Sequence, residues 1–277
     1  MAVMRYLAPE RGRIDTQVFA HPVFEQLHES QHHLCRSENW PEIPALNALW
    51  QAPVNAAGFP FRFVDQDDLQ DDAHYEQRIA HTGAIATRTR NWHDLFNAFI
   101  WMRYPAVKQA LNARQVTDIV QVGPKQRTRG QCALTQFDEA GAVLRLHDAT
   151  LQTAWDAHDW PYLFRNWTDA ERRGAVQLWL FGHSLFEHAL TPAIALVAKA
   201  LVINSPDTLD EDGMASRIAT GIAAGSLLND PQELRPIPLT GIPGWHPEHT
   251  AADFFTRMPC FRPKRAGRHY PEPLRMQ

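Results

Sequence analysis

The segment Asn91 to Trp101 limits the fold more than any other part of the chain. Trp92, Leu95, Phe96, Phe99 and Ile100 recur at i, i+3, i+4, i+7 and i+8, the full apolar stripe of an α-helix. Trp101 falls on the opposite side, so this helix needs protein against both faces. Its polar residues must then find partners, because a buried polar group left unpaired costs about 1–3 kcal/mol. Asn91 is a good N-cap, and Asp94 stands at N3, where an acid favours a helix start. His93 and Asn97, one turn apart, share the side next to Trp101. Pro105 suits the first turn of a following helix, Pro105 to Arg114.

The 277 residues carry enough apolar mass, 44% with nine Trp and fourteen Phe, for a sizeable core. No linker or repeat divides them. The expected organisation is one globular domain over residues 1–261 and a basic, Pro-rich, mobile tail over 262–277. A net charge of -4 argues against a global pull on nucleic acid. Cys35, Cys132 and Cys260 are far apart and odd in number, which argues against a disulfide framework or a thiolate zinc site and fits a reducing cytoplasm. The N-terminus shows no signal-peptide pattern. The longest apolar stretch, Val176 to Ile203, is interrupted by Gln177, His183, Glu187, His188, Pro192 and Lys199, so it reads as protein core, with no membrane partner.

The fold class expected is α+β, predominantly helical, with a small antiparallel sheet around residues 131–147. There two apolar runs, Cys132 to Phe137 and Ala142 to Leu146, flank Asp138-Glu139-Ala140-Gly141 and read as a β-hairpin. Thr168 with Glu171 forms a capping-box pattern that predicts a helix to about Leu190. Thr191-Pro192 predicts the next, Pro192 to Ile203, and Thr208 with Glu211 a third, ending near Leu228. From Pro236 onward, Pro and Gly predict extended loop.

Two apolar segments carry candidate chemistry. On the first, His93 and Asp94 pair an imidazole with a carboxylate, with Asn97 as a hydrogen-bond donor. On the second, His183 and Glu187 stand at i and i+4 among Leu, Trp and Phe. Such residues suit general acid–base work or a divalent metal held by His93, His183 and Glu187. Arg88, just ahead of the first helix, suits a small anionic ligand. Two motifs fail. Gly182-His183-Ser184 lacks the glycine that a nucleophile elbow needs two residues after the serine, where Phe186 stands. His188 is five residues after His183, whereas a zincin places its histidines one helical turn apart.

Several segments together resemble a bacterial family labelled domain of unknown function 3025. They are Thr87-Arg88, Asn91-Trp92-His93-Asp94-Leu95-Phe96-Asn97-Ala98, Ala133-Leu134-Thr135, Phe137-Asp138-Glu139-Ala140-Gly141, Phe181-Gly182-His183 with Glu187, Gly241-Ile242-Pro243-Gly244-Trp245 and Phe261-Arg262-Pro263. The resemblance spreads over about two thirds of the chain. It implies a bacterial, cytoplasmic protein and brings no activity with it. Ser184 and His188 stand where the resemblance implies alanine and lysine, which weighs against either as a functional residue.

The working expectation is a cytoplasmic, hydrolase-like enzyme, with His93, Asp94, His183 and Glu187 as acid–base or metal-holding groups and Arg88 and Asn97 on an anionic substrate. The cofactor it allows is a divalent metal. The alternative is a non-enzymatic binding or scaffold protein in which the same His, Asp and Glu residues form a structural network. No oligomeric state follows from the sequence.

Overall fold

The strand Gly141–Leu146 is buried at all six positions, and the larger sheet forms around it. The structure, a computed structural model, describes residues 6–191 and 194–275. Its strands are β1 (Arg62–Asp65), β2 (Ala84–Thr87), β3 (Gly141–Leu146), β4 (Val176–Leu180), β5 (Val197–Asn204), β6 (Arg235–Pro238) and β7 (Leu274–Arg275). β1 and β2 make a parallel pair of their own. The other five form one sheet in the order β4-β3-β5-β6, with β7 beside the far end of β5. β3 runs antiparallel to β4 and parallel to β5. Helices dominate the remainder, so the chain is α+β and mostly helical. No helix among the described residues is long and apolar enough to cross a membrane.

The sheet departs from the expected small antiparallel one. Residues 131–147 do not form a hairpin: Arg129–Ala140 is a helix and only its continuation is strand. The helix opens with a reciprocal capping box, Thr128 Oγ1 accepting from the Gln131 amide and Gln131 Oε1 accepting from the Thr128 amide, each at 2.9 Å. The helix expected from Thr168 to Leu190 is broken into Trp167–Arg172, β4 and His183–Ala189. Gly174, at φ 66°, turns the chain out of the first helix in a conformation open to glycine at little cost. The helix expected from Pro192 to Ile203 is corrected as well. Its first two residues lie outside the described residues, and from Val197 the chain is β5. Both β4 and β5 are nearly continuous apolar runs, as suits strands covered on both faces.

The helix Trp92–Arg103 is buried on both sides, as its sequence demands. Trp92 and Phe96 pack toward Phe19, Phe24 and Phe186, while Trp101 packs against Trp50 and Phe61. β2 leads into this helix and so sets where His93 enters the core. At the C-terminus, Arg262 O accepts from Trp160 Nε1 at 2.9 Å, Tyr270 stacks near His158, and Leu274–Arg275 pair with Ile203 and Asn204. The segment expected as a tail thus lies along the sheet.

Candidate metal centre

Three segments far apart in sequence converge on one point. The helix Trp92–Arg103 supplies His93 in its first turn, the helix Arg129–Ala140 supplies Glu139 at its end, and the helix His183–Ala189 supplies His183 at its start. The close approach depends on Gly182, where a Cβ would lie 2.4 Å from both Ala140 Cα and Gly141 N. The Gly182 amide donates to Gly141 O at 2.8 Å, which seats the start of the His183 helix against the junction where Glu139 lies.

His93 Nε2 and His183 Nε2 are 3.0 Å apart. Glu139 reaches both, with Oε2 3.6 Å from His183 Nε2 and Oε1 3.9 Å from His93 Nε2. One ligand atom from each residue lies within 4.8 Å of the others. On the other side of its ring, His93 Nδ1 donates to Glu187 Oε2 at 3.0 Å. An ionised carboxylate only accepts, so this bond puts the lone pair of the neutral ring on Nε2, facing His183 and Glu139. Ser184 Oγ donates to Glu139.

The electrostatics separate the two histidines. Burial works against charge on His93, but the Glu187 hydrogen bond and the nearby Glu139 carboxylate outweigh it and hold the ring above the ordinary histidine value. His183 is 3% exposed. Its burial, with Lys108 nearby partly offsetting Asp138, pushes it down to about 4, so it stands neutral. Its Nδ1 is buried without a partner among the described residues.

A second polar layer lies beneath. Lys108, 4% exposed, donates to Asp138 Oδ1 at 2.6 Å and to Asn97 Oδ1 at 2.8 Å, and Asn97 Nδ2 donates to the Tyr75 hydroxyl at 3.1 Å. Burial alone would raise the Asp138 carboxyl, yet the charge and hydrogen bond of Lys108 bring it below the usual carboxylate value. This pairing anchors the residue next to Glu139.

Of the residues singled out from sequence, His93, His183 and Glu187 come together; His183 and Glu187 share one helix at i and i+4, but the Glu187 carboxylate bonds His93 rather than His183. The grouping whose ligand atoms lie close enough to hold a metal consists of His93, His183 and Glu139. Asp94 and Arg88 form a pair of their own: Asp94 accepts from the Arg88 amide, Nε and Nη2 at 2.6, 3.1 and 2.7 Å. Asp94 therefore touches neither histidine, and the Arg88 charge is balanced. Asn97 belongs to the Lys108 layer. Glu139 lies in a stretch with the composition of a turn, and the local signal for its helix is the capping box of Thr128 with Gln131.

A cavity of about 330 Å³ opens over the centre and is lined by His93, His183 and Glu139 and by Arg88, Asp94 and Asn97. Arg127 stands exposed on its rim. Behind the His93 ring, a hollow of about 830 Å³ reaches Glu187, Tyr6 and Arg90. Glu76 also lines the smaller cavity, bound by Asn112 Nδ2 at 2.6 Å. Burial, opposed by Asn112 and aided by Asp138, lifts its carboxyl to about 7. Between the ordinary value, 4.5, and about 7 the folded chain thus holds a proton that the unfolded chain has released. Stability from this group is complete below that window and is lost as pH rises through it. Glu76→Gln should keep the Asn112 bond, flatten the pH dependence and stabilise the protein at pH ~8 by roughly 2 kcal/mol. Urea unfolding at two pH values checks this, and equal slopes with pH in both proteins would refute it.

No curated protein and no solved structure matches the chain. The family described as "Protein of unknown function (DUF3025)" matches residues 61–265, a stretch that contains every residue of the centre and of the layer beneath it. With more than half its length covered by that match, the chain belongs to this family.

Proposed function

We propose that the protein is a divalent-metal-dependent hydrolase acting on a small anionic substrate, with His93, His183 and Glu139 as the metal ligands. The triangle of ligand atoms carries this reading. A tetrahedral ion with bonds of about 2.0–2.1 Å has ligand–ligand edges of about 3.3–3.4 Å; here the two imidazole nitrogens lie 3.0 Å apart, Glu139 brings Oε2 to 3.6 Å from His183 and Oε1 to 3.9 Å from His93, and one ligand atom from each residue falls within 4.8 Å of the others. Three protein ligands facing a cavity leave a position open, as a reacting site requires and a closed structural site does not. The ion's contribution would be to acidify a water molecule and polarise the bond under attack.

The chain's own groups divide the remaining work. Glu187 fixes the His93 tautomer and ring angle, the usual task of a carboxylate behind a metal-bound imidazole. Ser184 holds Glu139. Arg127 supplies charge for an anion at the rim, because Arg88 is already committed to Asp94. Three cysteines without disulfides support a reducing compartment, and on that basis we propose a cytoplasmic location. The competing reading, a purely structural network, draws on the Lys108–Asp138–Asn97 layer, which satisfies itself.

The test is elemental analysis of the purified chain, titration with Co2+ followed by its visible absorption, and a screen of phosphoester and carboxylic-ester substrates with and without chelator. One equivalent of bound metal and chelator-sensitive turnover are expected. A chain that binds no divalent ion at stoichiometric concentration defeats the proposal.

A further inference from the structure

A separate hollow of about 840 Å³ lies where residues 259–270 fold back over β5 and β6. Lys199 lines it from β5, and Arg262, Arg265 and Arg268 line it from the C-terminal segment, Arg262 and Arg265 at its exposed side. No Asp or Glu is among the described residues that line it. Among acids beside the lining, Asp156 pairs with Arg235, Asp230 pairs with Arg129, and Glu233 accepts from the amides of Leu228, Asn229 and Asp230. Arg268 is held in place, donating to Gln232 O at 2.7 Å and lying 4.5 Å from the Tyr270 ring centre. Lys199 is half-buried. Burial, and then Arg268 and Arg265, lower its affinity for a proton, so the charges it feels are like charges.

Like charges gathered in a concave site repel one another unless an anion joins them. This gathering occurs in a protein whose net charge is -4, so it is not a share of a general basic surface. We propose that this hollow is a second ligand site and that it takes a small polyphosphate anion. The charge of the lining calls for several negative charges in a compact ligand. Guanidinium forks match phosphate oxygens two at a time. The hollow lies within the roughly 300–1,000 Å³ range of small-molecule sites. The overall negative charge disfavours a long polyanion lying across the surface.

Sodium tripolyphosphate titrated into the full chain by calorimetry tests the site. Saturable one-to-one binding is expected, weakened at least about tenfold between about 50 mM and about 200 mM salt, with orthophosphate at least about tenfold weaker. Lys199→Met and Arg268→Gln should each weaken it about tenfold or more. Lys199→Met removes a repelled cation, so its melting temperature without ligand should not fall, and lost binding cannot be ascribed to lost folding. Binding should persist in His183→Ala, which separates this site from the metal centre. Absence of binding at about millimolar tripolyphosphate, or unchanged affinity in both cation variants, overturns the proposal. Tighter binding of a single-stranded RNA than of tripolyphosphate overturns it as well, in favour of a nucleic-acid surface.

Discussion

Replacing His183 by alanine should lower the affinity for Zn2+ or Co2+ on the order of a thousandfold, about 4 kcal/mol, and remove chelator-sensitive turnover. His183 is one of the three proposed ligands, so its loss would leave two groups facing the ion. His93→Ala should have the same effect for the same reason. Glu139→Gln keeps the shape of the side chain but removes the charge that balances the cation. Glu187→Gln is the informative contrast. It leaves all three ligand atoms in place and withdraws only the carboxylate that orients His93 at 3.0 Å. A loss of about 10–100-fold is expected there, the usual range for a partner behind a ligand.

The same variants separate a metal centre from a structural network. His183 Nδ1 is buried without a partner among the described residues, so truncating this ring breaks a single side-chain hydrogen bond, that to His93 at 3.0 Å, in the metal-free chain. The melting temperature of metal-free His183→Ala should therefore fall by only a few degrees, while the stabilisation that added metal gives the wild-type protein disappears. A large drop in the melting temperature of His183→Ala, together with no effect of metal on the wild type, would identify the cluster as scaffolding. Isothermal titration and metal-dependent thermal melts provide both readouts.

Gly182→Ala should be among the most damaging single-methyl changes in the chain. The added Cβ meets Ala140 Cα and Gly141 N at 2.4 Å. Both are backbone atoms, so no rotamer change relieves the overlap and two chain segments must separate. Overpacking of this kind costs about 1–3 kcal/mol where side chains can yield. Here the upper end or more is expected, a fall in melting temperature on the order of 10 °C. The functional consequence is specific: one segment carries Glu139 near its end and the other begins with His183, so widening the gap pulls two proposed ligands apart and metal affinity should fall along with stability. An alanine variant that melts within about 2 °C of wild type and binds metal equally well would show that the two segments do not depend on this approach.

The long apolar helix was legible in the amino-acid sequence, since a stripe at helical spacing with Trp101 opposite it can be satisfied only by burial on two sides. His93 and His183 were legible too, as polar residues set in apolar surroundings. The pattern could not separate helix from strand in Val176–Leu180 and Val197–Asn204. A run buried on both faces has neither the helical nor the alternating period, and its state is decided by which strands it can pair with. Glu139 was hidden for a related reason, because Asp138-Glu139-Ala140-Gly141 has the composition of a turn. Only the approach of Gly182 from some forty residues further on gives its carboxylate a role. Glu187 turned to His93 rather than to His183 because a partner on a neighbouring helix lay within hydrogen-bond reach. Sequence spacing determines which residues share a face, because the helical repeat is local. Which side chains meet across elements is settled by close packing between distant segments, and in this protein that packing assembles the centre.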